Sequence, residues 1–335
     1  MTTIKDVAQR AGVSPSTVSR ALHDSSLISR DTKEKIWAAM KELNYEPNFA
    51  AQNLANSSSN IIGVILPPNK QSVANNPFFS QIIQGITAVC NQQSYLVSIA
   101  TGKNDHELIK NIKTMIIQGK TNKFIVTYSQ KSDQVVNFLR DEKVNYVLIG
   151  EPTKWENETL YVNNDNVKCG QDATSYLISC GYKTPVFVYS NLTEMVQYDR
   201  YIGYSQELQK NAKKTIEFKM ESQKLLEKLN HFLETHPEID SFVVSDDIMA
   251  ITLQDMLLAT NRKSPDYGII SFNNSIFARA AHPSITSIEI FPDSLGTQAA
   301  KLILKTDDLP SFDKQQAGFP HVTIPHKIVR RHSTK

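Results

Sequence analysis

Residues 3–22 read TIKDVAQRAGVSPSTVSRAL. Thr3 suits an N-cap, Asp6 sits where a carboxylate favours the positive end of a helix, and Ile4, Val7, Ala8 and Ala11 repeat at helical spacing until Gly12 stops the run. After the Gly12-Val13 turn, Ser14 caps a second helix whose first position is Pro15, where a missing N–H is harmless. Val18, Ala21 and Leu22 form its apolar stripe, which leaves Ser16, Thr17, Ser19, Arg20 and His23 facing outward or toward helix ends. A third helix follows Ser29, with Ile36, Ala39, Met40 and Leu43 on one face, and Pro47 prevents its continuation. Two short helices joined by a Gly-containing turn and braced by a third fit a helix-turn-helix. The outer face of the second helix carries small hydroxyls that let a backbone approach phosphates, and the Arg20 guanidinium can fork onto guanine O6 and N7. A generic three-helix bundle shows the same spacing, so spacing alone leaves both readings open.

Charge does not separate them. The chain of 335 residues has a net charge of +2, and residues 1–60 hold seven Lys or Arg against six acids. At 40% hydrophobic and 21% charged residues the chain is an ordinary globular protein of about two domains. The start MTTIKDVAQR lacks the apolar core of a signal peptide, and no run approaches the roughly 18 apolar residues of a membrane span, so a cytoplasmic protein is expected. Cys90, Cys169 and Cys180 are too scattered for a disulfide framework or a metal knuckle and read as reduced thiols. Residues 48–60, NFAAQNLANSSSN, hold one short apolar helix capped by Asn48 and containing Ala50, Ala51, Leu54 and Ala55. Two turns are marginal in isolation because nucleation is costly, so this helix needs a partner to order it or is a plain linker.

The run IKDVAQRAGVSPSTVSRAL, followed by LISRDTKEKIWAAMKELNYEPNFAAQNLA, resembles the DNA-binding region of the lactose-repressor (LacI/GalR) family of bacterial transcription regulators. The resemblance is dense over about 60 residues and includes the V-S-x-x-T-V-S-R core and the N-Y-x-P-N step into a hinge helix. It implies that the second helix enters the major groove of double-stranded operator DNA, with Pro15, Ser16 and Arg20 at base-reading positions and Thr17 and Ser19 near phosphates. Many members carry larger hydrogen-bonding side chains at the first two positions, which places much of the direct readout on Arg20. The same resemblance puts the hinge helix in the minor groove beside its dimer mate, with Leu54 as a wedge between bases. Thr3, Ser14, Asn48 and Ala51 complete the expected DNA-facing set.

From Ile61 onward short apolar runs alternate with amphipathic helices: IIGVIL (61–66), YLVSIA (95–100), KFIVTY (123–128) and NYVLIG (145–150), then PVFVYS (185–190), TIEFK (215–219), SFVVS (241–245) and YGIISF (267–272). Such strands predict two doubly wound parallel-sheet subdomains, and ligands bind at the carboxyl ends of strands in such folds. The residues there are Phe78 and Phe79, able to stack on a sugar face; Asn164 and Asp165; Asp199 and Arg200, whose guanidinium fork suits adjacent hydroxyls; Asp246 and Asp247; and Asn273 with Asn274. Each alone has a plain structural reading as a helix start, a turn, an ion pair or a cap. Together they have the composition of a carbohydrate site rather than a phosphate or metal site. The resemblance extends over this region as a periplasmic-binding-protein-like sensor crossed three times by the chain, near Tyr161, Ile290 and Val322. It matches Phe79, Asn164, Arg200, Asp246 and Asn273 to effector contacts. Asn273 departs from the Asp of the family's G-Y/F-D-N motif, and NPFF, IATGK and VNNDN are similar to the family's maltose-operon repressors.

The expected organisation is therefore an all-α helix-turn-helix headpiece (1–47), a hinge helix and linker (48–60), and an α/β effector and dimerisation domain (61–335). In the last, the first subdomain comprises 61–161 and 291–322 and the second 162–290 and 323–335. The resemblance implies a homodimeric repressor, of maltose or maltodextrin genes, released from its operator by a sugar. A corepressor or phosphoprotein that tightens DNA binding stays open, as does a sugar-binding transport protein. An enzyme is not expected: GKT at 119–121 lacks the upstream Gly of a phosphate loop, and G-x-S-x-G, HExxH and G-x-G-x-x-G motifs are absent. No cofactor or metal is expected, since His321, His326 and His332 lack accompanying Cys.

Overall fold

A computed structural model of the chain describes residues 2–22, 25–45, 59–68, 75–220, 223–260, 267–307 and 320–335. It divides into two compact units, Met1–Ser59 and Asn60–Lys335.

The first unit holds α1 (Ile4–Ala11), α2 (Pro15–Leu22) and α3 (Arg30–Glu42). Thr3 and Asp6 close a reciprocal capping box at the start of α1, and Gly12 ends it at φ +69°, a left-handed conformation that favours glycine. Ser29 caps α3 by accepting from the Thr32 amide at 3.3 Å. Val7, Ala8, Val18, Ala21, Ile36 and Ala39 are buried together, with Ile4, Ala11, Leu22, Met40, Leu43 and Tyr45 packed around them. These are the stripes the helical spacing predicts. Arg10 ties α1 to α3 by an ion pair with Glu42 at 2.7 Å. The expected hinge helix, with Asn48, Ala51 and Leu54, lies outside the described residues.

The second unit is two stacked-layer lobes. The first contains β1 (Ile61–Ile65), α4 (Pro77–Gln92), β2 (Leu96–Ala100), α5 (Asp105–Ile117), β3 (Lys123–Val126), α6 (Gln134–Asp141), β4 (Asn145–Ile149) and β5 (Leu160–Asn164). The chain then builds α7 (Asn166–Ser179), β6 (Pro185–Tyr189), α8 (Met195–Lys210), β7 (Glu217–Lys219), α9 (Leu225–Thr235), β8 (Ser241–Val244), α10 (Asp247–Ala259), β9 (Gly268–Phe272), α11 (Ile276–Ala280) and β10 (Thr286–Glu289) in the second lobe. It returns with α12 (Pro292–Leu304) and β11 (His321–Ile324), and ends in the second lobe with β12 (Lys327–Val329). The strand orders are β11-β5-β4-β3-β1-β2 and β12-β10-β9-β8-β6-β7. The first sheet is parallel throughout, and the second is parallel except for the edge strand β12, which runs antiparallel to β10. Helices cover both faces, which is why the central strands are apolar along their whole length.

The crossings fall slightly later than Tyr161 and Val322. β5 and β11 pair in register from Tyr161↔His321 to Asn164↔Ile324, so residues 162–164 and 323–324 belong to the first lobe. The ladder of a fully paired parallel strand holds them there, although the polar Asn163-Asn164 reads as loop. Among the described residues no helix is long and apolar enough to cross a membrane.

Candidate functional site

The headpiece presents α2 as an open surface. Ser14 fixes its start: its hydroxyl accepts from the Thr17 amide at 3.2 Å and lies 2.8 Å from both the Ser16 and Thr17 hydroxyls. Ser14, Pro15, Ser16 and Arg20 are exposed, and Thr17 and Ser19 are half-exposed. The Arg20 side chain forms no hydrogen bond or ion pair among the described residues, and its guanidinium carries five donors in a fork. Thr3 is already engaged by Asp6, whose Oδ2 accepts from the Thr3 amide at 2.7 Å and its hydroxyl at 2.8 Å. A helix start lined by small hydroxyls with one long cation a turn and a half later can meet a phosphate backbone and a base edge together.

In the second unit, the strand ends bring most of the expected residues to one region between the lobes, but in three different states. Phe78 and Phe79 open α4, where Asn76 caps the Phe78 amide at 3.1 Å. Their rings meet edge to face at 5.2 Å, and Phe78 packs against side chains of both lobes. Arg200, in α8, is only 3% exposed. Its Nε donates to Asn166 Oδ1 at 3.1 Å, its Nη1 to the Ser245 carbonyl at 2.7 Å, and its guanidinium lies 4.2 Å from the centre of the Phe272 ring. Burial lowers its pKa, opposed by the neighbouring Cys169, Asp246, Asp247 and Asp199. A guanidinium held by two hydrogen bonds and a ring is rigid, and only its remaining donors are left to recognise a ligand.

Asp165 is exposed and caps α7 through the Lys168 amide at 2.8 Å. Asp246 is half-buried and caps α10 through the Met249 amide at 2.8 Å, with burial pushing its carboxyl up. Asp199, also half-buried, is pushed up to about 6 by burial and then by the nearby Glu151, with Arg200 opposing. Asn273 holds φ +99° at the end of β9, and its amide donates to the Ile288 carbonyl at 2.8 Å.

Two expected contacts are placed differently. Asp247 is 1% exposed: Oδ1 accepts from Ser287 Oγ at 2.7 Å and from Ser271 Oγ, and Oδ2 accepts from the Ser275 amide at 2.6 Å. With both oxygens engaged inside the second lobe it anchors β9, β10 and the loop before α11 rather than facing a ligand. Asn164 is likewise buried, with its amide nitrogen bonded to the carbonyls of Ile290, between β10 and α12, and Ile324, at the end of β11.

Sequence reading missed Asn166, which orients Arg200, and Glu151, which follows β4 at a strand end and obeys the same positional rule. It also missed a second meeting of the lobes. Gln130 bridges Glu194 in antiparallel fashion, the Lys131 amide donates to the Thr193 carbonyl and the Met195 amide to the Ser129 carbonyl, both at 3.1 Å. Lys131 Nζ lies 4.0 Å from the centre of the Tyr198 ring. The terminal histidines are separate: His321 stacks on Tyr161, His326 Nε2 lies 3.0 Å from Asp172, and His332 Nδ1 lies 2.9 Å from Ser284 Oγ.

Residues 3–48 match the family model described as bacterial regulatory proteins, lacI family. Residues 59–331 match that of periplasmic binding proteins and the sugar binding domain of the LacI family. The chain is 34% identical over 338 residues to the HTH-type transcriptional regulator MalR of Streptococcus pneumoniae, covering 98% of this chain and 99% of the relative. It is 31% identical over 343 residues to MalR of Staphylococcus xylosus, covering 100% and 98%. A lac repressor dimer bound to operator and the anti-inducer ONPF has the same fold, at TM-score 0.79 and 21% identity over 98% of each chain.

Proposed function

The chain belongs to the lacI family of bacterial regulatory proteins, and from that premise we propose that it is a cytoplasmic, homodimeric repressor of carbohydrate genes, most specifically those for maltose or maltodextrin, released from operator DNA by the sugar. The observation that carries this reading is the coexistence of two unsatisfied recognition groups on one chain. Arg20 is exposed on a helix shaped to enter a groove, and Arg200 is fixed among second-lobe side chains with donors beyond the two it uses.

In this reading α2 lies in the major groove with Pro15, Ser16 and Arg20 at base edges and Ser14, Thr17 and Ser19 at phosphates. Asn48, Ala51 and Leu54 serve the minor groove, outside the described residues. The sugar sits between the lobes, with Arg200 forking onto adjacent hydroxyls, Phe78 and Phe79 against its apolar face, and Asp165, Asp199, Asp246 and Asn273 accepting its hydroxyls. One headpiece with one strong base-reading side chain falls short of the ~10⁻⁸–10⁻¹¹ M of specific sites, and a second copy supplies the remainder. Support for pairing comes from β2, a sheet edge on which Leu96 and Ile99 are about half exposed, and from Ile276 and Phe277 on the second lobe. Sugar between the lobes turns one against the other and separates the paired hinges, with a coupling of typically about 1–3 kcal/mol.

The test is fluorescence anisotropy of the full chain on an operator selected from random duplexes, with and without maltose, maltotriose, cellobiose or glucose. Maltose or maltotriose is expected to weaken binding by roughly 5- to 150-fold. Arg200→Ala is expected to abolish that response and leave sugar-free DNA binding intact. Operator affinity indifferent to all four sugars would overturn the proposal, and an increase would reverse its sign.

A further inference from the structure

The three passages between the lobes meet at one buried side chain, which belongs to the first and bonds to a carbonyl of each of the other two. Asn164 itself ends β5, where the chain first leaves the first lobe. Its Nδ2 donates to the Ile290 carbonyl at 3.1 Å, on the return passage between β10 and α12, and to the Ile324 carbonyl at 3.0 Å, at the end of β11. The residue is 3% exposed. Two carbonyls facing one amide end fix which end is the NH₂, because the oxygen there would oppose both acceptors. An NH₂ has two protons, so both donors are engaged and neither is available to a ligand.

The tie continues to the cleft. Asn166 Nδ2 donates to Asn163 Oδ1 at 3.0 Å and to the Asn164 carbonyl at 3.3 Å, while Asn166 Oδ1 accepts from Arg200 Nε at 3.1 Å. Arg200 is thus two hydrogen bonds from the point where all three passages meet. The lobes also meet at Phe78, which packs against both cores, and at the Ser129–Lys131 and Thr193–Met195 clasp, where the hydrogen bonds are between backbones and Lys131 lies over the Tyr198 ring.

We infer that Asn164 is the positioning residue that sets the angle between the lobes, and that Asn166 connects it to Arg200. This gives the effector site proposed above its mechanical link, and rests on that proposal for its consequence though not for its geometry. β5 and β11 are already held together by their ladder up to Asn164↔Ile324, so what the Asn164 amide adds is the tie from that pair to the return passage at Ile290; its removal loosens the lobes as bodies while each sheet and its core stay intact.

The experiment is amide hydrogen exchange, read by mass spectrometry, on the full chain without ligand, comparing wild type, Asn164→Ala and Asn164→Ser. The readout is the ratio of exchange at the clasp amides Lys131 and Met195 to exchange in the central strands β1 and β8. In Asn164→Ala clasp exchange is expected to rise roughly tenfold, as the loss of two buried hydrogen bonds implies, with β1 and β8 unchanged. Asn164→Ser keeps one donor and is expected to fall between, and it carries the test alone if the alanine variant does not fold. Equal acceleration at clasp and strands would mean a merely structural residue, and unchanged clasp exchange would mean no tie at all; either overturns the inference. Adding maltose then separates the two claims. A wild type whose operator binding ignores maltose fails the proposed function and leaves the exchange result standing. A responsive wild type matched by an equally responsive Asn164→Ala overturns the coupling role.

Discussion

Arg20 is exposed and its side chain makes no hydrogen bond or ion pair among the described residues, on a helix whose other outward groups are Pro15 and short hydroxyls. A bidentate pair with a guanine is worth about 1–3 kcal/mol of discrimination. Arg20→Ala is therefore expected to shrink the preference for operator over random duplex by roughly ten- to a hundredfold at constant salt, with the headpiece still folded by circular dichroism. An unchanged preference in a competition titration would assign the reading to other residues. At Asp133 the chemistry is internal. Its Oδ1 caps α6 by accepting from the Val135 amide at 2.9 Å and the Val136 amide at 3.1 Å, while Oδ2 is buried with no hydrogen bond among the described residues. Burial pushes this carboxyl up to about 6, against an ordinary aspartate near 4. The folded chain holds the proton more tightly than the unfolded one, so stability falls as pH rises from about 4 to about 6 and the penalty is complete above that window. Asp133→Asn keeps an acceptor for both cap amides and removes the charge. It is expected to be more stable than wild type by about 1–3 kcal/mol at pH 7 and no more stable at pH 4, measured by thermal unfolding. A gap of equal size at both pH values would contradict this account. The same scale shows where sequence reading stops. Asn164 and Asp247 stand at strand ends as the positional rule requires, yet both turn inward, because a strand end fixes where a residue is and not what its side chain meets.

Each lobe is closed by a helix pair that crosses at two glycines. A Cβ on Gly85 of α4 would meet the Asp293 carbonyl oxygen at 2.1 Å, and one on Gly296 of α12 would meet that of Ile82 at 2.2 Å. In the second lobe a Cβ on Gly170 of α7 would meet the Arg200 carbonyl oxygen at 2.1 Å, and one on Gly203 of α8 that of Val167 at 1.9 Å. Backbone lies against backbone here, so no side chain can swing away to make room. Gly203→Ala is expected to push α8 off α7, costing about 1–3 kcal/mol as overpacking does, and to carry Arg200 out of reach of Asn166. The expected readouts are a lower Tm and a sugar affinity weakened together. A lowered Tm with unaltered sugar affinity would show that Arg200 does not depend on this contact. Helices and strands were legible in the sequence because their apolar periods are strong, from Val7, Ala8 and Val18 in the headpiece to the unbroken IIGVIL of β1. The antiparallel β12 was not, since three short residues beside a parallel sheet carry no signal of direction. Nor was the clasp, whose bonds belong to backbone atoms.

Only the whole second unit assembles the electrostatics of the cleft. Glu151 comes from the first lobe, Asp165 from the first crossing, and Asp199 and Asp246 from the second lobe. Asp199 is raised by burial, Glu151 and Asp165, while Glu151 is itself raised by burial, Glu156 and Asp165. The opposing cations are few: Arg200, buried and tied to Asn166 and the Ser245 carbonyl, and Lys131, lying over Tyr198. Neither lobe alone shows this arrangement, and the net charge of +2 hides it. Carboxylates accept hydroxyl donors well and repel anions, so with the sugar seated in this cleft, as proposed above, an uncharged sugar is expected to be favoured over a phosphorylated one. One like charge several ångströms from a partly screened acid is worth on the order of 1–2 kcal/mol. Calorimetry on the full chain is therefore expected to show maltose binding roughly tenfold or more tightly than maltose 6′-phosphate at low salt. The gap should narrow as salt rises toward 1 M, where the screening length falls to about 3 Å. Asp199→Asn should narrow it at low salt by the same route, because it removes the repulsion that only the phosphorylated sugar meets. Equal or tighter binding of the phosphorylated sugar would mean that Arg200 and Lys131, not the acids around them, set the sign of the field a ligand meets.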